Sequence, residues 1–263
     1  MSIAYPQSLK DLLFIDIETV SSTSTYQELP EAMQRHWDRK AGHLSRGGEL
    51  DPASMYAERA AIYAEFGRVI TIGLGYFRFR ESEPVPDLRL TVLSGHDEKS
   101  LLQSFAEILQ KLRHPALTLC GHNAKEFDFP YLSRRMLVNG VALPDVLNTG
   151  GKKPWEVQHV DTMELWKFGD YKSYTPLDLL ATLFDVPTSK EGIDGSQVGT
   201  AYYGRNAIDE IAGYCMEDVR VTAQVYLRLQ GLAALPEEQI YRNLPAPDQD
   251  TEAGKEKTAS VTE

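Results

Sequence analysis

The sequence predicts an α/β fold with a mixed central sheet flanked by helices, and three features predict it. Residues 12–17 (LLFIDI) are apolar on both alternating faces, the pattern of a central strand covered on both sides. Residues 69–77 and 88–93 are two further strand patterns, and the segment between them, 81–87, holds two prolines, which predicts a hairpin. From residue 97 onward strand and helix patterns alternate. Early antiparallel strands followed by strand–helix units make a mixed sheet.

The elements follow in order. After the first strand, residues 22–66 read as mostly helical. Leu29, Met33 and Trp37 recur four apart, and Asp51-Pro52 has the chemistry of a cap and a first helical position. Beyond the hairpin, Asp97 caps a helix whose Leu101, Leu102, Phe105, Ile108, Leu109 and Leu112 share one face. Residues 116–120 form a short buried strand, and Gly121-His122-Asn123 turns the chain. A helix begins near Pro130 and stops at Asn139-Gly140, where glycine suits the left-handed cap. A loop over 143–155 leads to a last short strand at 157–160. Helices follow over 175–184, 197–203 and 207–229; the last buries Ile208, Ile211, Cys215, Val219 and Leu229 against the sheet. The domain reading is one unit, 1–244, with a helical insertion at about 22–66. The stretch 245–263 has almost no large apolar residue and reads as a disordered polar tail.

Composition narrows the classes. The 263 residues are 42% hydrophobic and 25% charged, ordinary for a soluble globular chain with a real core. No apolar run is long enough to cross a bilayer, and the N-terminus lacks the basic-then-apolar order of a secretory signal. The two cysteines, Cys120 and Cys215, sit in apolar company and read as reduced thiols of a cytoplasmic protein. Against 27 basic residues stand 38 acidic ones, a net charge of −11. A nonspecific polyanion binder usually shows the opposite sign. Placed carboxylates that hold metal ions are compatible with it.

Three carboxylate-bearing pieces are candidates for such placement. Asp16-Ile17-Glu18 reads as the end of the first strand, where residues two apart share a face. Two adjacent carboxylates repel unless a cation lies between them, and the segment holds no Lys or Arg. The plain alternative is a polar strand end. Asn123 to Asp128 (NAKEFD) leaves Asp128 in a loop or first helical turn, where a helix cap is the alternative. Tyr214 and Asp218 are four apart on the long helix and share one face. A core aromatic and a solvated charge are the alternatives there, and Glu217, one position off, reads as exposed.

Together, a DxE in the first strand, NxxxFD after a buried strand and a late helical YxxxD resemble the DEDD exonuclease superfamily. The tyrosine places the likeness in its DEDDy branch, among stand-alone bacterial predicted 3′–5′ exonucleases related to the proofreading domain of family B DNA polymerases. Supporting stretches are 64–70, 159–163 and 189–196. The resemblance runs from about 12 to 229 and implies an RNase H-like fold. It leaves no room for polymerase palm or fingers, so an exonuclease without its own polymerase is expected. It implies removal of nucleotides from the 3′ end of single-stranded DNA by phosphodiester hydrolysis with two divalent cations, Mg²⁺ or Mn²⁺, about 3.5–4 Å apart. Asp16 would bridge both ions, Glu18 and Asp218 would hold the one beside the attacking water, and Asp128 would support the second. Tyr214 would orient that water as a hydrogen-bond positioner. Thr19, Asn123 and Phe127 would contact the terminal nucleotide. Lys190, in the loop before Gly192, is a candidate to steady the scissile phosphate as a point charge, with an exposed loop lysine as the alternative.

Other features have structural readings. Asp161 reads as a helix cap, and His122 and His159 as polar core or edge residues without zinc spacing. The aromatics Trp155, Trp166, Phe168, Tyr171 and Tyr174 read as core, with base stacking as the alternative. Arg134-Arg135 and Lys152-Lys153 are close basic pairs, but no contiguous basic stripe runs along the chain. A short contact with a frayed 3′ end is therefore expected, rather than a grip on long duplex. RNA 3′-end trimming and a non-catalytic accessory subunit are the rival functions. A replication or repair partner is left open, and no membrane association is expected.

Overall fold

The structure, a computed structural model, describes residues 5–45, 51–81, 83–170, 174–188 and 195–243. Lys190, Tyr171, most of the stretch 189–196 and the expected polar tail at 245–263 lie outside the described residues.

The strands are β1 (Leu12–Ser21), β2 (Gly67–Arg78), β3 (Asp87–Ser94), β4 (Thr118–Gly121), β5 (Val160–Asp161) and β6 (Ile240–Asn243). They form one sheet in the order β5-β4-β1-β2-β3-β6. β1, β2 and β3 are antiparallel neighbours, while β4 and β5 run parallel to β1 and β6 runs parallel to β3. The mixed α/β sheet expected from the sequence is thus present. β6 was not foreseen, and the expected strand at 157–160 shrinks to two residues, Val160 and Asp161.

The helices are α1 (Glu31–Leu44), α2 (Pro52–Arg59), α3 (Glu98–Lys111), α4 (Asp128–Val138), α5 (Thr162–Lys167), α6 (Leu177–Leu183), α7 (Val198–Arg205) and α8 (Ile208–Leu229). They cover both faces of the sheet, as the two-sided apolar pattern of β1 requires. Leu13, Ile15 and Ile17 pack with Leu102 and Phe105 of α3 and Leu132 of α4. Leu12 and Phe14, on the opposite face, pack with Ala212, Met216, Val219 and Ala223 of α8. Asp16 and Glu18 continue the face of Phe14, so they lie beneath α8.

Two features hold α8 and α3 in place. On β2, Gly73 pairs with Asp16 of β1. A Cβ there would stand 2.8 Å from Val219 Cγ2 and 3.0 Å from the Cys215 carbonyl oxygen, so the missing side chain lets α8 sit close to the sheet. At the start of α3, buried Glu98 accepts from Val69 N–H (2.8 Å), Arg135 Nε (2.9 Å) and Nη2 (2.6 Å), and Asn139 Nδ2 (2.9 Å). That carboxylate joins β2, α3 and α4 with its charge fully paired. Arg135, half of a basic pair noted in the sequence, is therefore engaged in the fold.

The insertion after β1 has its own small core. Trp37 is fully buried against Tyr56 and Phe66, and its indole N–H donates to the Pro52 carbonyl (2.8 Å). Asp51 caps α2 as expected, accepting from Ser54 N–H. A 3₁₀ turn, Ala60–Ile62, moors the insertion to the sheet: the Ala61 carbonyl accepts from Thr19 Oγ1 (3.0 Å) and Tyr131 OH (2.8 Å).

Candidate active site

The DxE does not end its strand. β1 runs three residues past Glu18, with a bulge between Glu18 and Thr19. What ends is the parallel partner: β4 pairs with β1 only from Leu12 to Phe14. Beyond that point the Ile17 N–H has no strand to bond, and the Asp128 carboxylate accepts it instead (3.0 Å). Asp128 is therefore not a cap of α4; it sits at the first helical position, behind Phe127, and the helix begins two residues before Pro130. The turn that carries it there includes Asn123 in the left-handed conformation (φ 59°).

From above, α8 supplies Tyr214 and Asp218, one turn apart. Asp16, Glu18 and Asp218 each offer a carboxylate oxygen, and these atoms lie within 4.8 Å of one another. The Tyr214 hydroxyl stands close enough to the Asp218 carboxylate for each to shift the other's pKa. The Cys215 thiol donates to the Asp16 carbonyl (3.4 Å), stitching the helix to the strand at the site. Sequence reading singled out Cys215 only as a core residue; the close approach allowed by Gly73 brings it here.

The electrostatics are those of crowded, dehydrated carboxylates. Burial, then the charges of Asp128, Asp218 and Glu18, push Asp16 well above the usual carboxylate range. Burial, Asp218 and Asp128 do the same to Glu18. Burial carries Asp128 up to about 7, and Asp218 up to about 6 despite the lowering influence of the nearby Tyr214 hydroxyl. Burial and the neighbouring Asp218 and Glu18 raise Tyr214 above the ordinary tyrosine range, so it keeps its proton at neutral pH. None of the four carboxylates is in a salt bridge among the described residues. Asp16 Oδ2 is buried and has no hydrogen-bond partner. Oxygen-only carboxylate clusters of this kind match the ligand chemistry of hard divalent cations.

The secondary residues divide. Asn123, on the turn that leads into α4, keeps its side-chain oxygen buried and unpartnered, while its N–H donates to Asp161 (2.9 Å). Phe127 is partly buried, its ring against Tyr131 at 5.3 Å. The Thr19 hydroxyl donates to the Ala61 carbonyl (3.0 Å). Asp161 caps α5 as expected, accepting from Met163 and Glu164 N–H as well as from the Asn123 turn. His122 bonds Thr162 and Thr175, and His159 the Val146 carbonyl; burial lowers both, His159 to about 4.

Two readings are corrected. Glu217 is half-buried, not exposed: it accepts from Arg220 (2.6 Å) and Arg242 (2.5 Å), tying α8 to β6. Of the aromatics read as core that lie among the described residues, Trp166 fits, edge-on to Phe184 at 5.8 Å. Trp155, Phe168 and Tyr174 are 77%, 88% and 68% exposed. Composition alone does not tell an aromatic that packs from one that faces water.

Comparison with known proteins gives one family. The family described as "Predicted 3'-5' exonuclease related to the exonuclease domain of PolB" matches residues 62–257, well over half of the chain. That span takes in Asp128, Tyr214 and Asp218; Asp16 and Glu18 precede it and join the site through the geometry above. No curated protein matches the chain. Among solved structures, the family B DNA polymerase from the hyperthermophilic archaeon Pyrobaculum calidifontis is similar at 18% identity and a TM-score of 0.46. The similarity covers 82% of this chain and 24% of that one, so the chain spans about a quarter of the polymerase's length.

Proposed function

The chain belongs to the family of predicted 3′–5′ exonucleases related to the exonuclease domain of PolB, and from that premise we propose that it shortens single-stranded DNA from the 3′ end by hydrolysing the terminal phosphodiester. The observation that carries the reading is the convergence of Asp16, Glu18 and Asp218 within 4.8 Å, with one oxygen of Asp16 buried and unpartnered.

The residues fit a pair of divalent cations: Asp16, Glu18 and Asp218 would hold one, and Asp16 with Asp128 the other. When bound, such cations neutralise phosphoryl charge and favour the ionised form of water. The chain's own groups do the rest. Tyr214, protonated at neutral pH and beside Asp218, orients the attacking water and is not its base. The free Asn123 side-chain oxygen accepts from the 3′-hydroxyl of the last nucleotide, and Phe127 packs beside its sugar. Thr19 acts through Ala61, fixing the wall next to Glu18. Lys190 steadies the scissile phosphate as a point charge.

The test is a 5′-labelled single-stranded DNA incubated with millimolar Mg²⁺ or Mn²⁺, beside an Asp16→Ala control and a matched RNA. A ladder receding from the 3′ end, absent with EDTA and in the control, is the expected result. Product on RNA alone would change the substrate. No product on either, with metal bound, would make the protein a binding subunit.

A further inference from the structure

Phe168 combines two unfavourable features. It ends α5 in the left-handed conformation (φ 44°, ψ 35°), which a bulky L-residue rarely adopts, and it is 88% exposed. Tyr174 is also exposed, yet its neighbour Thr175 is buried. His122 clamps both segments, its Nε2–H donating to the Thr175 carbonyl (2.9 Å) and its Nδ1 meeting Thr162 Oγ1 of α5 (2.8 Å). The next residue is Asn123, with its buried, unpartnered oxygen. Further along the same segment, Leu180 and Ala181 of α6 pack with Val221 and Val225 of α8. The stretch from Tyr174 to Ala181 therefore runs from the Asn123 turn to the helix that carries Asp218.

We infer that Phe168 and Tyr174 form a stacking wall for the bases of a single strand whose 3′ end enters the carboxylate site; this rests on the nuclease reading. Neither ring packs on another aromatic among the described residues. Aromatic faces take bases only when the bases are unpaired, and they do so without sequence preference. Charge agrees. The chain carries −11, and Lys125, Arg135 and Arg220 are already bonded to Glu164, Glu98 and Glu217. Stacking needs no cation, so it can hold a strand against a chain of net charge −11. Affinity then falls by less than about tenfold between 50 and 200 mM salt, where a protein with 6–10 phosphate contacts loses about 10³–10⁵.

The experiment measures the Kd of a fluorescent oligothymidine by anisotropy in an Asp16→Ala background, which holds the strand without cutting it. Tyr174→Ala and Phe168→Ala each raise Kd about tenfold, and Tyr174→Phe stays within about twofold. Phe168→Gly loses the same affinity without lowering Tm, because glycine accepts the left-handed backbone. Tyr76→Ala, an exposed aromatic on the other face of the sheet, leaves Kd unchanged. With Asp16 restored, Tyr174→Ala raises KM and holds kcat. Unchanged Kd in Tyr174→Ala and Phe168→Gly would overturn the wall, as would an equal loss in Tyr76→Ala. If the parent chain cuts DNA while these variants bind normally, the wall alone falls. If it binds the strand and cuts nothing, the nuclease reading falls and the Kd series still decides the wall.

Discussion

Asp16 is both the most demanding and the most costly residue in the molecule. One oxygen of its carboxylate is buried and unbonded, and the charges of three other carboxylates crowd it. Asp16→Asn keeps the shape and removes one repelling charge. Activity on a 3′ end is expected to fall about a thousandfold or more, the worth of several kcal/mol of lost transition-state stabilisation. The metal-free protein should meanwhile gain about 1 kcal/mol at pH 8, read as a higher Tm. A substitution that lowered both together would argue that Asp16 serves the fold. The pairs Asp16/Glu18 and Tyr214/Asp218 were legible because each lies within one element, at the period of a strand or of a helix. The Asp128 bond to Ile17 was not, since 111 residues separate the partners and only the early end of β4 creates the need.

Among elements, the contact of α8 with β1 and β2 decides whether the site exists. Gly73 sets that distance. Gly73→Ala places a methyl where Val219 and the Cys215 carbonyl already stand, at a cost of about 1–3 kcal/mol. The expected result is a protein that still folds, with kcat reduced at least about tenfold because Tyr214 and Asp218 lift away from Asp16. Equal activity at lowered Tm would show that the helix accommodates the methyl by sliding elsewhere. Long, periodic elements such as α3 and α8 could be read from their apolar faces. β6 could not: four residues, Ile240 to Asn243, with only Ile240 buried, carry no strand period, and their partner β3 lies far back in the chain. The exposed Phe168 and Tyr174 were misread for a related reason, because burial depends on neighbours that the local sequence does not name.

For the whole molecule, the raised carboxylates make stability depend on pH and on cations. Asp128 at about 7 and Asp218 at about 6 hold protons in the folded state that the unfolded chain releases near 4. Their contribution is complete below about pH 4 and is lost as the pH rises through about 6 to 7. Metal-free protein should therefore melt at a lower temperature at pH 8 than at pH 5.5. Millimolar Mn²⁺ should raise Tm at pH 8 more than at pH 5.5, since cations compete with protons for the same oxygens. Differential scanning fluorimetry at the two pH values, with and without EDTA, checks both signs.

The hydrogen bond from Ile17 to Asp128 bears on how such a protein would lose its chemistry over time. A lineage released from selection for cleavage gains stability by neutralising Asp16, Glu18 or Asp218. Losing Asp128 instead strands a buried N–H in the middle of the central strand. Decay would start at the first three and reach position 128 last, so a descendant that has become a mere binder would still carry an aspartate or asparagine there, kept by the backbone after the reaction was gone.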